Sequence, residues 1–184
     1  MPEALKNIKE RNSCRDFADT PLTEQQVKSL VEAALQAPSA RNIQPWHVTC
    51  ITDKSFIDEM DAEGLALLKA AEDQTAYNTI MSRGGKMLYN APCYFVISAN
   101  DSMYAQIDSG ILCQNIAIAA EALGLGSCII GMIRTPLSGP RGAEFIKRMQ
   151  FPEGYNFAIS ILVGHVNTGK PPHDMDFSKV THIN

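Results

Sequence analysis

Four short runs of apolar or β-branched residues restrict the possible folds of this chain more than any other feature. They read "HVTCIT", "CYFVISA", "SCIIGMI" and "FAISILVGHV", beginning at residues 47, 93, 127 and 157. Their length and their β-branched and aromatic content predict four strands. Because strands this apolar have no face suited to water, helices must cover both faces of their sheet. The sequence therefore predicts an α+β (mixed α/β) fold in three layers.

Helical patterns between the strand runs supply the covering layers. Thr23 and Gln26 have the spacing of a capping box, and apolar residues then recur at helical intervals until Pro38. A second pattern, from about Ile107 to Gly124, has a broad apolar face. A shorter helix is predicted for "RGAEFIKRM", just before the last strand.

The chain is predicted to form one domain, residues 1–184, without an internal repeat or a linker. Residues 54–86 have mostly helical propensity, but Gly64 and the pair Gly84–Gly85 interrupt the pattern. We therefore expect a helical excursion or flap at about 54–86.

Composition argues against several classes of partner. The net charge of −4 leaves no broad basic surface for nucleic acid or anionic lipid. The first 17 residues lack the apolar core and small-residue cleavage site of a signal peptide. The most apolar stretch, "IAIAAEALGLGSCIIGMI", contains Glu121 and three glycines, and it resembles a buried helix followed by a strand more than a membrane span. We expect a cytoplasmic protein with no nucleic-acid or membrane partner.

Common catalytic motifs are missing from the sequence. The five scattered cysteines include no C-x-x-C pair, and the four histidines lack metal-binding spacing, so neither a disulfide framework nor a metal site is predicted. Cys14, between Ser13 and Arg15, is a candidate nucleophile, but no matching His/Asp set is visible. The run "GLGSCIIG" follows a helix, and its glycines are misplaced for a dinucleotide-binding loop.

Two polar segments remain as candidate binding sites. "RNSCR" at 11–15 brings two guanidinium groups and a hydroxyl together, which suits a phosphate, although a solvated charged turn is the simpler reading. "APSARNIQPWH" at 37–47 has the restricted, hydrogen-bonding composition of a binding loop. Its simpler reading is that Ser39 and Asn42 cap turns, Arg41 faces water and Trp46 belongs to the core.

Taken together, the segments suggest a family. "RNSCRDF", "APSARNIQPWHV", "NAP" and "IDSGILCQNIAIAAEALGLGSCIIG" occur in an order and spacing that resemble the nitroreductase family of FMN-dependent oxidoreductases. The resemblance covers nearly the whole chain and is weakest at 54–86 and after Gly164. It implies a central, mostly antiparallel sheet flanked by helices, and an intertwined homodimer with FMN at the subunit interface.

The resemblance also assigns residues to the FMN. The phosphate, the ribityl chain and the edge of the ring would be held by Arg11, Asn12, Ser13 and Arg15. The partner subunit would line the flavin with its own copies of Pro38, Ser39, Ala40 and Asn42. The shape of that loop would be fixed by Gln44, Pro45 and Trp46.

Three further positions follow from the same resemblance. The segment that lies against the flavin ring would be Ile129, Ile130, Gly131 and Met132, with the Gly131 N–H facing flavin N5. Lys86 would stabilise negative charge at the N1/O2 side of the ring, and Arg83 is a second candidate there. Many family members have a Lys/Arg pair after the last strand, where this chain has only Lys170 and His173 nearby, so Lys170 is expected to hold the phosphate or FMN retention is weakened.

The implied activity is transfer of hydride from NAD(P)H through flavin N5 to a nitroaromatic, a quinone or a similar small acceptor, by a ping-pong mechanism. Other flavin chemistry on the same fold stays open, namely flavin reduction, dehalogenation or dehydrogenation. A non-enzymatic FMN-binding protein and a domain without flavin are the remaining alternatives. The preference between NADH and NADPH is not determined by the sequence.

Overall fold

The computed structural model describes residues 1–183, in which helices alternate with four strands. The strands are β1 (Trp46–Ile51), β2 (Cys93–Ala99), β3 (Gly126–Ile130) and β4 (Asn156–Gly164). The helices are α1 (Glu3–Glu10), α2 (Glu24–Leu35), α3 (Lys54–Ala70), α4 (Thr75–Met81), α5 (Ala105–Ala122), α6 (Arg134–Leu137) and α7 (Gly142–Arg148). Short 3-10 turns occur at Ala40–Asn42 and Phe177–Lys179. Asn184, the last position of the predicted domain, lies outside the described residues.

The four strands form one sheet in the order β1-β2-β4-β3, and all neighbouring strands are antiparallel. Side chains alternate between two hydrophobic clusters, one on each face. Tyr94 and Leu162 face the cluster that contains α3 and α7, whereas Phe95 and Ile161 face the cluster that contains α2 and α5. The predicted three-layer α+β fold is therefore confirmed, and β3 is an edge strand.

The predicted capping box at the start of α2 is present. The Thr23 hydroxyl accepts a hydrogen bond from the Gln26 backbone N–H at 3.2 Å, and the Gln26 side chain accepts one from the Thr23 N–H at 2.8 Å. These contacts satisfy backbone donors that the first turn of a helix leaves unpaired. Leu30 and Ala34 are fully buried, so α2 packs through the apolar stripe that the sequence indicated.

Gly64 does not interrupt the excursion, contrary to the prediction. It lies within the continuous helix α3, where a Cβ atom would come within 2.5 Å of the Met87 side chain. Glycine therefore permits close packing against Met87 here, a reason that a propensity argument does not detect. Gly84 and Gly85 do behave as predicted, since they follow α4 with φ angles of +99° and +70°.

The third strand is shorter than predicted. β3 ends at Ile130, and the next residues turn into α6, where the Arg134 N–H donates to the Gly131 carbonyl at 3.1 Å. This turn leaves Gly131 exposed at the end of an edge strand. Among residues 1–183, every helix falls short of the length and apolar character that crossing a bilayer requires.

Candidate functional site

The outer edge of β3 is partly covered by the arginine-rich segment 11–15. Ser13 pairs with Ser127 in a parallel bridge, and the Cys14 N–H donates to the Ser127 carbonyl at 2.8 Å. These contacts fix the backbone of the segment beside the first half of the strand. The second half of the same edge begins two residues later and ends at Gly131, roughly 13 Å from Ser127 at about 3.3 Å per residue.

Three cationic side chains lie near the covered end of the β3 edge. Burial raises the pKa of the Cys128 thiol, and the positive charges of nearby side chains oppose this change. Those side chains are Arg15, Lys170 and Arg11. Among residues 1–183, no carboxylate lies within 4.0 Å of any of the three, although ion pairs form elsewhere on the surface. A cluster of unpaired cations beside backbone donors is suited to a phosphate group.

Lys170 reaches this cluster because the turn after β4 is tied to the N-terminal segment. The Ala18 N–H donates to the His165 carbonyl at 2.9 Å. Two residues further along, the Asn167 N–H donates to the Asp16 carbonyl at 3.0 Å, and the Asn167 side chain donates to the Asp16 carboxylate. The tail therefore starts next to Asp16, and the charges of Lys170 and Arg15 both act on the Cys14 thiol.

The uncovered end of the β3 edge presents an apolar side chain and open backbone. Ile129 is 40% exposed in a strand that is otherwise buried. Gly131 is exposed, and a Cβ atom at that position would meet nothing within 4 Å. The neighbouring Ile130 and Met132 instead pack into the core cluster beneath. Of the four predicted ring-binding residues, two therefore face outward and two support them.

The 38–45 loop is held in an unusual shape by hydrogen bonds. The buried Asp108 carboxylate of α5 accepts from the Ala40 N–H at 3.3 Å, and the Ser39 hydroxyl accepts from the Gln44 N–H at 2.9 Å. Three non-glycine residues have positive φ angles: Arg41 (54°), Asn42 (55°) and Gln44 (50°). Conformations this uncommon persist only where the surroundings enforce them. Trp46 is 8% exposed and anchors the end of the loop in the core.

The two binding segments are separate within one protomer. Among the described residues 1–183, no hydrogen bond or ion pair joins the 38–42 part of the loop to the 11–15 segment or to Gly131. The loop is instead attached to the N-terminal end of α5, next to an apolar groove of about 260 Å³ lined by Tyr104, Ile107 and Ile111 among others.

The predicted cations Arg83 and Lys86 are exposed on the turn that follows α4. The Lys86 ammonium lies 3.6 Å from an Asp58 carboxylate oxygen, and Lys54 lies 2.5 Å from the same oxygen. Lys54 is thus the closer partner of Asp58. Lys86 keeps a loose ion pair and remains accessible from solvent.

The described cysteines are all free thiols, and the nucleophile hypothesis for Cys14 gains no support. Cys14 is 4% exposed, and burial raises its thiol pKa, which opposes formation of the reactive thiolate. Among residues 1–183, no group of three His, Cys, Asp or Glu side chains is arranged to hold a metal ion.

The site's two sequence segments and the strands between them fall inside one family pattern. The family model described as "Nitroreductase family" matches residues 8–165. The chain belongs to the nitroreductase family. The match includes the 11–15 segment, the 38–45 loop, Lys86 and Gly131, but ends before Lys170.

Individual nitroreductase relatives resemble this chain over almost its full length. A crystal structure of a nitroreductase with bound FMN from Desulfitobacterium hafniense has a TM-score of 0.96 and 47% identity, with 100% of both chains covered. A protein from Archaeoglobus fulgidus described as an NADH dehydrogenase/NAD(P)H nitroreductase is 30% identical, over 96% of this chain and 90% of its own length. The FMN reductase [NAD(P)H] of Bacillus subtilis is 27% identical, over 90% of this chain and 66% of its own length.

Sequence reasoning missed three residues that hold the backbone next to candidate site residues. Asp108 holds Ala40, Asp61 of α3 accepts a hydrogen bond from the Leu88 N–H at 2.5 Å, and Ser160 contacts the Ile130 carbonyl. Each contact joins residues at least 27 positions apart. The sequence could have indicated Asp108 and Asp61, because each is a carboxylate at a buried position of a helical pattern and therefore needs a hydrogen-bond partner. It contains no comparable indication for Ser160.

Replacing Asp61 with asparagine should make unfolding stability less dependent on pH. Asp61 is 2% exposed, and burial raises its carboxyl pKa, against the effect of the Leu88 hydrogen bond. An acid with a raised pKa in the folded state stabilises the fold below its unfolded pKa of about 3.9 and loses that contribution as the pH rises through the folded value. Asp61→Asn keeps the acceptor for Leu88 without the charge, so its melting temperature should exceed the parent's at pH 7 and converge with it near pH 4.

Asp73→Asn provides a control with the opposite sign. Hydrogen bonds from Thr75 lower the pKa of the exposed Asp73 carboxyl, so its contribution is present at neutral pH and is lost on acidification. Thermal unfolding of both variants and the parent between pH 4 and pH 8 measures the two trends. A melting temperature for Asp61→Asn that is below the parent's at pH 7 would contradict the interpretation of Asp61.

Proposed function

We propose that residues 1–184 form one FMN-binding domain that acts as an NAD(P)H-dependent oxidoreductase in the cytoplasm, where NAD(P)H is supplied. Hydride from NAD(P)H would reach a nitroaromatic, a quinone or a similar small acceptor by a ping-pong reaction, in which NAD(P)⁺ leaves before the acceptor binds. Bound FMN supplies the redox chemistry, accepting and releasing hydride at its N5 atom. The residues of the chain bind and orient it.

The free edge of β3 is the observation that carries this proposal. At one end lie cations that have no carboxylate within 4.0 Å among residues 1–183, and at the other end are an exposed apolar side chain and an exposed glycine backbone. FMN has a matching polarity, with a phosphate at one end and a flat, largely apolar ring at the other. Arg11, Ser13, Arg15 and Lys170 would hold the phosphate end.

At the ring end, Ile129 would pack against the flavin, and the Gly131 N–H would donate to its N5 atom. Glycine is suited to this position because no side chain stands between its backbone and the ligand. Lys86, with Arg83 nearby, would stabilise the negative charge that reduction places on the ring. Asn12 would contribute to the polar chain between the two ends.

A homodimer would complete the site, because the loop containing Pro38, Ser39, Ala40 and Asn42 is separate from the β3 edge in one protomer. The surface next to that loop is suited to a second copy of the chain. Ile107 and Ile111 on α5 are 61% and 37% exposed, and Leu5 and Ile8 on α1 are 54% and 55% exposed. Exposed apolar stripes of this kind typically mark protein interfaces.

An anaerobic visible spectrum of the protein mixed with FMN, taken before and after NADH or NADPH, tests the proposal. We expect bound oxidised-flavin bands that bleach with at least one nicotinamide and return on addition of menadione or nitrofurazone. Light scattering on the same sample measures whether the flavin-bound species has the mass of two chains. Bound flavin that does not bleach would favour a non-enzymatic flavin-binding protein, and absence of binding would refute the assignment.

Reduction of free flavin is the second candidate function, favoured by the similarity to the Bacillus subtilis FMN reductase. The two candidates differ in their acceptor. With a fixed NADPH concentration, turnover is compared between excess free FMN and excess menadione. A larger kcat/KM for free FMN would assign the chain as a flavin reductase.

Gly131→Ala should weaken FMN binding without affecting the fold. The added methyl group meets open space in the protomer, so the melting temperature of the flavin-free protein should stay within about 2 °C, the usual range for a surface substitution. The methyl group would keep the ring from the backbone, and loss of one hydrogen bond predicts an approximately tenfold higher Kd. Fluorescence titration with FMN measures it, and an unchanged Kd would place the ring elsewhere.

A further inference from the structure

We propose that Tyr94 and Ser160 are positioning residues for the Gly131 N–H, which they orient and strengthen as a donor through the Ile130 carbonyl. This inference rests on the proposed function, since the group that receives the hydrogen bond is the flavin. Neither side chain is available to the ligand, because both are fully buried in the core.

The hydrogen-bond chain has a defined direction. The Ser160 hydroxyl donates to the Ile130 carbonyl at 2.6 Å, and the Tyr94 hydroxyl lies 2.8 Å from the Ser160 oxygen. Because serine has only one hydroxyl proton, and that proton is donated in the hydrogen bond to the Ile130 carbonyl, Tyr94 must be the donor to Ser160. Burial raises the pKa of Tyr94, so its hydroxyl keeps the proton that this chain requires.

The chain ends on the peptide bond that carries the Gly131 N–H. In a trans peptide the C=O and N–H groups point in opposite directions. Because the Ile130 carbonyl is directed at Ser160 in β4, the Gly131 N–H is directed away from the sheet, toward the free edge. The register agrees, since the Ser127 carbonyl faces that edge and backbone directions alternate along a strand.

The hydrogen-bond chain should also polarise the Gly131 peptide, in addition to orienting its N–H. Successive hydrogen bonds reinforce one another in a low-dielectric interior, by perhaps 10–30% for each bond. A carbonyl that accepts a hydrogen bond from a hydroxyl withdraws electron density from its peptide nitrogen, so the N–H of the same peptide becomes a better donor. Tyr94 and Ser160 would therefore strengthen the contact to flavin N5 from within the core.

A second buried serine gives a matched comparison. Ser98 is also fully buried, in the adjacent strand β2, but its hydroxyl has no hydrogen-bond partner among residues 1–183. Ser98→Ala and Ser160→Ala remove the same atom from neighbouring strands of one core. Only the second removes a donor from the Ile130 carbonyl, and Tyr94→Phe removes the outer member of the chain while leaving the Ser160 bond intact.

The first measurement uses protein without flavin. The amide proton shift of Gly131, read by NMR, should move upfield in Ser160→Ala, move less in Tyr94→Phe, and stay unchanged in Ser98→Ala. The second measurement is the anaerobic rate of flavin reduction at saturating NADPH. This rate should fall by about threefold to tenfold in Ser160→Ala, as expected for one weakened hydrogen bond, with KM nearly unchanged.

The outcomes separate this inference from the proposed function. If Ser160→Ala and Ser98→Ala give the same Gly131 shift, the positioning chain is refuted, whatever the flavin does. If the shift moves as expected but the parent protein binds no FMN, the hydrogen-bond chain from Tyr94 to Ile130 is supported and the proposed function is refuted. If the shift moves but the reduction rate matches that of Ser98→Ala, the hydrogen-bond chain has no effect on flavin reduction, and the proposed positioning role is refuted.

Discussion

The double variant Arg11→Gln/Arg15→Gln should bind FMN at least a hundredfold more weakly than the parent protein. Each guanidinium can form charge-assisted hydrogen bonds with a phosphate, typically about 1.5–3 kcal/mol each, and about 2.7 kcal/mol corresponds to a factor of a hundred. The two arginines have no carboxylate partner within 4.0 Å among residues 1–183, so their loss breaks no ion pair of the fold. Fluorescence titration of the flavin-free protein measures the Kd.

Riboflavin provides the chemical control, because it carries the same ring without the phosphate. The parent and the double variant should bind riboflavin with Kd values that differ by less than about threefold, since less than about 0.7 kcal/mol is at stake. Lys147→Gln controls for the loss of one positive charge elsewhere on the surface, because Lys147 is an exposed cation on α7. An equal loss of FMN and riboflavin affinity in the double variant would contradict the placement of the phosphate.

Lys170→Gln tests whether Lys170 contributes to phosphate binding. The turn after β4 is tied to Asp16, and the charges of Lys170 and Arg15 both act on the Cys14 thiol, so Lys170 is suited to the role that the family resemblance gives to a Lys/Arg pair. We expect a Kd for FMN that is higher by about threefold to tenfold, because one ammonium on a mobile stem contributes less than two guanidinium forks. No change would mean that the arginines alone retain the cofactor.

The elements that were predictable from sequence are those set by local rules. The capping box of Thr23 and Gln26 and the apolar run of β2 are contiguous in the chain, and both appear where they were expected. The errors involve contacts that are distant in sequence. Gly64 was interpreted as a helix interruption, although its lack of a side chain makes room for Met87. Composition alone cannot distinguish a glycine that ends a helix from one that permits close packing.

The candidate site divides in the same way. The 11–15 segment and the 38–45 loop were found because their polar residues are adjacent in the chain and resemble a family pattern. Asp108 and Ser160 were missed because their partners, Ala40 and Ile130, lie 68 and 30 positions away. Residues that hold a ligand can therefore be recognised in one sequence more readily than the residues that hold them in place.

Lys86→Met should slow anaerobic flavin reduction by NADPH about a hundredfold to a thousandfold. Reduction places negative charge on the N1/O2 side of the ring, and removing one pre-placed electrostatic donor from such a site typically has this effect. The flavin midpoint potential should fall as well, by about 60 mV for a hundredfold loss in stability of the two-electron reduced form. Stopped-flow spectroscopy measures the rate, and an equilibrium redox titration measures the potential.

Lys54→Met is the matched control for this change. Lys54 and Lys86 share one oxygen of Asp58, at 2.5 Å and 3.6 Å, so both variants remove an ammonium group from the same carboxylate. Lys54 lies at the start of α3, outside the predicted flavin site. Its loss should leave the reduction rate within about fivefold of the parent, because a partly exposed ion pair of this kind contributes at most about 1 kcal/mol.

Arg83 determines how a weak effect of Lys86→Met is interpreted. It is exposed on the same turn, three residues before Lys86, and is the other candidate for the charged edge of the ring. If Lys86→Met retains the parent's reduction rate and Arg83→Met loses it, a cation does stabilise the N1/O2 side of the ring, but that cation is Arg83. If the double variant also reduces at the parent's rate, this turn does not face the flavin. The reduced ring would then depend on the backbone donor at Gly131 and on groups of the partner subunit.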